Sequence, residues 1–169
     1  MPTLVLDPQP VELTELIERR RRLGQDLFDE VWDGVLHMNP APSGAHGRVD
    51  RQLGFLLEPL ATEAGLASTG PFNLGETDDY RVPDAGLHRR WRDQVWYATA
   101  ALVVEILSPG DETHAKLSFY AARGVDEVLI VDPQARRVEW LGLRGQGYEP
   151  IHASALIDLG PDELAQRID

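Results

Sequence analysis

The run Leu102-Val-Val-Glu-Ile-Leu-Ser108 constrains the fold of this chain more than any other segment. It is too short and too rich in β-branched residues for a buried helix, and it reads as a strand covered on both faces. Glu105 sits in the middle of it. An ionised carboxylate in such a place costs several kcal/mol unless it is paired or bound to a metal. The fold must therefore bring a partner to Glu105, and the sequence around it offers Asp84 upstream and Lys116 downstream.

The surrounding pattern is strand, strand, helix, strand, strand between Val82 and Trp140, which predicts an α/β fold. With 169 residues the chain suits one domain with a sizeable core. No apolar run approaches the ~20 residues that span a bilayer. The start, Met1-Pro-Thr-Leu-Val-Leu-Asp7, lacks the basic and long apolar regions of a secretory signal. Cysteine is absent, so neither disulfides nor thiolate metal sites arise. Together these point to a cytoplasmic protein. The 28 acids outweigh the 16 Lys and Arg to give a net charge of −12, which is unfavourable for phosphate backbones. Any basic surface must come from Arg19–Arg22, Arg89-Arg90 with Arg92, or Arg136-Arg137, each of which is by default a solvated face.

Val11 to Leu23 carries apolar residues at helical spacing and stops at Gly24. Val31 to Leu36 reads as a hairpin turning at Asp33-Gly34. A second helix is expected over Ala45 to Ala64, kinked or shortened by Pro59. Strands are expected over Leu66–Leu74 and Tyr80–Leu87, separated by an acidic loop Gly75–Asp79. His88–Tyr97 reads as a surface connection, and Ala98–Leu107 as the central strand. After a turn at Pro109-Gly110-Asp111, a helix over Glu112–Arg123 ends at Gly124. Strands over Val125–Val131, Arg137–Leu143 and Tyr148–His152 follow, then a short helix from Pro161 to Ile168.

Asp84, Glu105 and Lys116 form the inventory that phosphodiester hydrolysis requires. Two carboxylates can hold magnesium while leaving positions for water and a phosphate oxygen. A lysine nearby can orient the water or stabilise developing charge. No His spacing fits a zinc site, and His37, His88 and His152 show no common pattern. Ser108-Pro109-Gly110 lacks the glycines of a nucleophile elbow, and no phosphate-binding glycine loop is present.

Val82-Pro-Asp84, Leu102-Val-Val-Glu-Ile-Leu-Ser-Pro109, Lys116-Leu-Ser-Phe-Tyr120 and Gly124-Val-Asp-Glu-Val-Leu-Ile-Val-Asp-Pro133 occur in that order. Upstream lie Asp33-Gly34, Met38, Pro40, Pro42-Ser43 and His46. In these motifs the chain resembles the putative restriction endonuclease family of the PD-(D/E)xK nuclease superfamily, over roughly residues 25 to 160. The resemblance implies a restriction-endonuclease-like mixed central β-sheet flanked by helices; the helix read at about 11–24 precedes that part of the chain within one domain. It also implies a magnesium site that manganese can substitute, DNA as substrate, and a homodimer. Carried over by position, Asp84 and Glu105 are metal ligands and, with Lys116, the catalytic residues. The superfamily pattern would put lysine at position 107, where this chain has Leu107, so Lys116 on the following helix takes that place. Glu30, just before the Asp33-Gly34 turn, sits near the position of the family's N-terminal acid, and Glu30, His46 and Tyr120 are accessory candidates.

Each assignment has a plainer alternative. Asp84 after Pro83 could simply end a strand. Glu105 could pair structurally with Arg81 or Arg123. Lys116 on a helix could face solvent, and Tyr120, four residues later on the same face, could cover the core. His46 could be only a first-turn residue of a helix capped by Ser43. Two functional readings follow. One is a magnesium-dependent endodeoxyribonuclease, or a hydrolase of another phosphate ester by the same logic. The other is a catalytically inactive nuclease-fold module acting through dimerisation or partner binding, with exposed Trp91 and Trp96 in its interface.

Overall fold

The computed structural model describes residues 11–110 and 112–168. The segment Met1–Asp7 and Asp111 of the expected turn lie outside those residues. Its strands form two mixed sheets. In the larger, the central strand β8 (Leu102–Ile106) runs parallel to β9 (Glu127–Asp132) and antiparallel to β6 (Ala85–His88). Strand β3 (Ala67–Thr69) closes one edge, and β10 (Arg137–Arg144) with β11 (Gly147–Pro150) the other. The smaller sheet has the order β2 (Val35–His37), β1 (Glu30–Trp32), β5 (Asp79–Arg81), β4 (Asn73–Glu76) and β7 (Trp96–Tyr97).

Strand β8 is buried along its whole length, as its composition requires. Leu102, Val104 and Ile106 alternate onto one face and meet Val49, Leu53, Leu57 and Ala61 of helix α2 (Gly44–Glu63) and Leu164 of helix α4 (Pro161–Arg167). Val103 points the other way, into a cluster with Phe72, Leu74 and Tyr97 of the smaller sheet's region and with Phe119 and Tyr120 of helix α3 (Leu117–Ala122). Glu105, two residues after Val103, belongs to this second face by the strand's period of two. Gly86 is required where β6 passes that cluster, since a Cβ there would stand 2.5 Å from the Phe72 ring.

Several expected elements divide differently. The two long strands over Leu66–Leu74 and Tyr80–Leu87 each split, giving β3 and β4, then β5 and β6. Gly75–Asp79 is largely paired as the tight β4–β5 hairpin. The break between β5 and β6 falls at Val82-Pro83-Asp84: Pro83 has no N–H to give a ladder and holds Val82 extended, so the chain crosses there from one sheet to the other. The central strand is shorter than Ala98–Leu107, and His88–Tyr97 ends in the edge strand β7, parallel to β4. Residues Thr113–Lys116 form a 3-10 turn before α3 rather than a continuous helix. Pro59 does not shorten α2, which runs on to Glu63. Helix α1 (Val11–Arg22) has no fully buried residue; it is tied down by Arg20, whose Nη2 lies 2.7 Å from Asp29 Oδ1.

Glu127 is a second acid in an apolar strand, and its surroundings are wholly structural. Its Oε2 accepts from Trp140 Nε1 at 2.8 Å and Ser154 Oγ at 2.6 Å, and its Oε1 from the Ala155 amide at 2.6 Å. These bonds pin the 152–159 segment to the sheet. Glu127→Ala strands three donors, and unfolding in urea is expected to show a loss of about 3 kcal/mol. No helix among the described residues is long and apolar enough to cross a membrane.

Candidate functional site

The crossover at Val82–Asp84 lies beside the end of β8, and the residues singled out in the sequence converge there. The Asp84 amide donates to the Val104 carbonyl at 3.0 Å, which continues the Ala85–Val104 register and sets Asp84 beside Glu105. Asp84 Oδ2 then accepts from the Ile106 amide at 2.7 Å. Its Oδ1 lies 2.9 Å from His46 Nε2. His46 is held in the first turn of α2, where Ser43 Oγ accepts from the His46 amide at 3.2 Å. His46 is thus the capped first-turn residue, and its ring also touches Asp84.

Glu105 is 4% exposed. Its partner is Lys116, whose Nζ lies 3.2 Å from both Glu105 oxygens. The same ammonium stands 2.9 Å from Glu30 Oε1. Tyr120 donates its hydroxyl to Glu105 Oε1. Lys116 and Tyr120 do share a face, and both are buried, so neither the solvent reading of Lys116 nor the purely core reading of Tyr120 holds. Pairing of Glu105 with Arg81 or Arg123 is also overturned. Arg81 donates to the Val31 carbonyl and Asp79 while its guanidinium lies 4.5 Å above the Trp32 ring and 4.1 Å from the Phe119 ring. Arg123 reaches Glu76 and Asp79 instead.

Glu30 is the most enclosed of the acids, at 1% exposure. Its Oε1 accepts from the Val82 amide at 2.8 Å and its Oε2 from Trp32 Nε1 at 2.7 Å. It therefore satisfies the backbone exactly where the chain changes sheets and anchors Lys116 as well. Sequence position alone ranked Glu30 low, since it lies far from the other residues in the chain. One signal for Lys116 was present and unused: it is the only lysine in the chain, every other basic side chain being arginine.

The electrostatics are unbalanced. Glu30, Asp84 and Glu105 face one ammonium and one imidazole. Burial pushes the Glu105 carboxyl up to about 8, with Asp84 and Glu30 adding to the rise and Lys116 opposing it. Asp50, one turn after His46 on α2, is also raised, first by burial and then by Asp84. A dication would fit this excess of negative charge. Asp84 and Glu105 are hard oxygen donors on adjacent strands; both Asp84 oxygens and Glu105 Oε2 have a lone pair beyond the hydrogen bond each now makes, while Glu105 Oε1 is taken by Lys116 and Tyr120. No group of three or more His, Asp and Glu among the described residues forms a ready-made cage. Magnesium does not need one, because it keeps several waters and takes one or two carboxylates.

The fold, rather than the arrangement of these side chains, has known counterparts. The crystal structure of a putative nuclease belonging to DUF820 from Anabaena variabilis ATCC 29413 superposes with a TM-score of 0.66, covering 82% of this chain and 89% of that one at 16% identity. That likeness shows the restriction-endonuclease-like α/β fold. A cryoEM structure of a DrdV–DNA complex aligns over 72% of this chain and 12% of that one, at 14% identity and a TM-score of 0.39, too low to establish a common fold. No curated protein matches significantly. The profile of the Uma2 family, described as "Putative restriction endonuclease", matches residues 14–165, and the chain belongs to that family.

Proposed function

We propose that this chain is a magnesium-dependent endodeoxyribonuclease in which Asp84 and Glu105 hold the metal and Lys116 acts on the attacking water. The observation that carries this reading is the sole lysine buried between Glu30 and Glu105, beside Asp84, at the crossover of two sheets. Bound there, magnesium or manganese would supply Lewis-acid activation of water and of the phosphate oxygen.

The chain's own residues do the rest. Lys116, as an ammonium, donates a hydrogen bond to the water and stabilises charge that develops on the phosphate oxygens. Glu30 and Tyr120 are positioning residues: one fixes the ammonium, the other fixes the rotamer of Glu105. His46 orients Asp84 from the opposite side to the Ile106 amide. DNA as substrate and a dimer as the working form belong to the same proposal.

Supercoiled plasmid incubated with protein and magnesium is expected to be nicked, and Glu105→Ala to lower the rate at least about a hundredfold. Nicking that persists undiminished in the variant would place the chemistry elsewhere. A second reading, a non-catalytic module that binds a partner, draws on exposed Trp91, Val95 and Trp96 in the connection after β6. Calorimetry separates the two: no uptake of magnesium or manganese by the intact protein favours the module.

A further inference from the structure

A cleft of about 530 Å³ opens between α2 and the β3–β6 edge of the larger sheet. It lies on the α2 face of the sheet, opposite Glu105, and borders the site through Asp84: Ala85 and Val104 form its inner wall, and Asp50, in the same wall, stands one turn after the His46 that touches Asp84. The volume is in the range of roughly 300–1,000 Å³ typical of sites for small ligands or single groups. At its mouth Phe55 is 69% exposed, with the Arg51 guanidinium 5.1 Å from its ring centre. A large aromatic ring held in water by a cation one turn away is a stacking surface awaiting a flat partner.

Besides Arg51, every polar side chain of the cleft can accept a hydrogen bond, Ser68 and Thr69 through hydroxyls that can also donate. Asp50 and Glu58 contribute carboxylates. Pro59, also in the wall, has no N–H to give the Phe55 carbonyl, so that helix interruption leaves an acceptor at the same place. Acceptors suit a ring edge that carries an amino group. The one cation, Arg51, suits the phosphate attached to that ring.

We infer that this cleft holds one unpaired nucleobase bearing an exocyclic amino group, stacked on Phe55, from the strand whose phosphate lies at Asp84 and Glu105. The inference rests on the nuclease reading and narrows its substrate to nucleic acid with an unpaired or extruded nucleotide. A paired base cannot enter a concave slot without leaving its stack. Discrimination against thymine follows, because its edge presents carbonyl oxygens toward the carboxylates.

Fluorescence polarisation with labelled 12-nucleotide dC, dA and dT strands, and with a duplex of matched length, tests this in EDTA and low salt, so that binding is read apart from cleavage. Single-stranded dC and dA are expected to bind more tightly than either dT or the duplex. Phe55→Ala is expected to weaken the dC strand roughly tenfold, the usual effect of losing one stacking partner, and to leave duplex binding unchanged. Gly54→Leu is the second variant: a Cβ at Gly54 meets nothing within 4 Å, so the helix tolerates it while the slot is filled. It is expected to weaken the dC strand as well.

Equal binding of all strands by the wild type, no binding at all, or indifference to both variants would overturn the inference. So would sedimentation showing that Phe55→Ala splits a dimer, which would make the cleft a contact between copies. Loss of plasmid nicking in the wild type with the strand preference intact would remove the hydrolytic reading and leave the cleft standing. Nicking by a wild type that lacks the preference would do the reverse.

Discussion

Lys116→Met is expected to lower the unfolding free energy by about 3–5 kcal/mol, the usual penalty for breaking a buried pair by removing one partner, and to abolish plasmid nicking. The ammonium is within 2.9 Å of Glu30 and 3.2 Å of Glu105, all three side chains being nearly inaccessible. Without it, Glu30 keeps only its neutral donors from Val82 and Trp32, and Glu105 keeps Tyr120. Glu105 can escape by taking up a proton, so the loss is expected to grow with pH. The double variant Lys116→Met with Glu105→Gln removes one charge of each sign, and is expected to recover most of the stability and none of the activity. Urea denaturation at pH 9 in EDTA, where Glu105 is ionised, measures both. If Lys116→Met unfolds at the wild-type denaturant concentration, the ammonium is not what balances the acids.

In the absence of metal, stability is expected to fall as pH rises from about 4.5 to about 8, and magnesium to oppose that fall. The sign follows from linkage. Glu105 is protonated in the native state up to about 8 but ionises at about 4.5 once unfolded. Between those values the native state binds more protons, so raising the pH favours unfolding through this group. Magnesium needs the ionised form, so it binds more weakly toward pH 6 and releases a proton when it binds. Added at pH 8, it should raise the melting temperature by mass action. Because other groups titrate too, the informative quantity is the difference between wild type and Glu105→Gln. Parallel stability curves for the two proteins between pH 5 and 9 would show that Glu105 does not carry this titration.

Much of this was legible in the sequence where one residue type settles one conformation. Asp33 and Gly34 both adopt positive φ, 48° and 83°, as the two central residues of the expected hairpin turn must. The Val49, Leu53, Leu57, Ala61 stripe gave α2, and the apolar run gave β8 with Glu105 buried in it. The division into two sheets was not legible. Strands of three residues such as β1, β3 and β5 carry no readable alternation, and Pro83, which separates β5 from β6, lay unremarked inside one expected strand, Tyr80–Leu87, rather than marking a crossover. The candidate site was read through Asp84, Glu105 and Lys116, whose spacing is local to one strand–strand–helix unit. Glu30 was harder because its contact with Lys116 depends on the packing of the two sheets against each other. Asp50 went unnoticed because nothing in its helix distinguishes it from a surface acid. Glu127 shows the limit from the other side: it shares Glu105's burial in an apolar strand, yet it binds only tryptophan, serine and backbone. Burial announces that an acid has partners; the kind of partner decides whether chemistry follows.

That the chain's single lysine sits at this crossover also makes the region self-reporting. An endoproteinase specific for lysyl bonds has one place to cut, Lys116–Leu117, at the junction of the 3-10 turn and α3. Lys116 is 8% exposed, so the bond yields only when that junction opens. Two fragments of defined mass, released at a rate set by opening, would then measure how tightly this corner is closed, without any label.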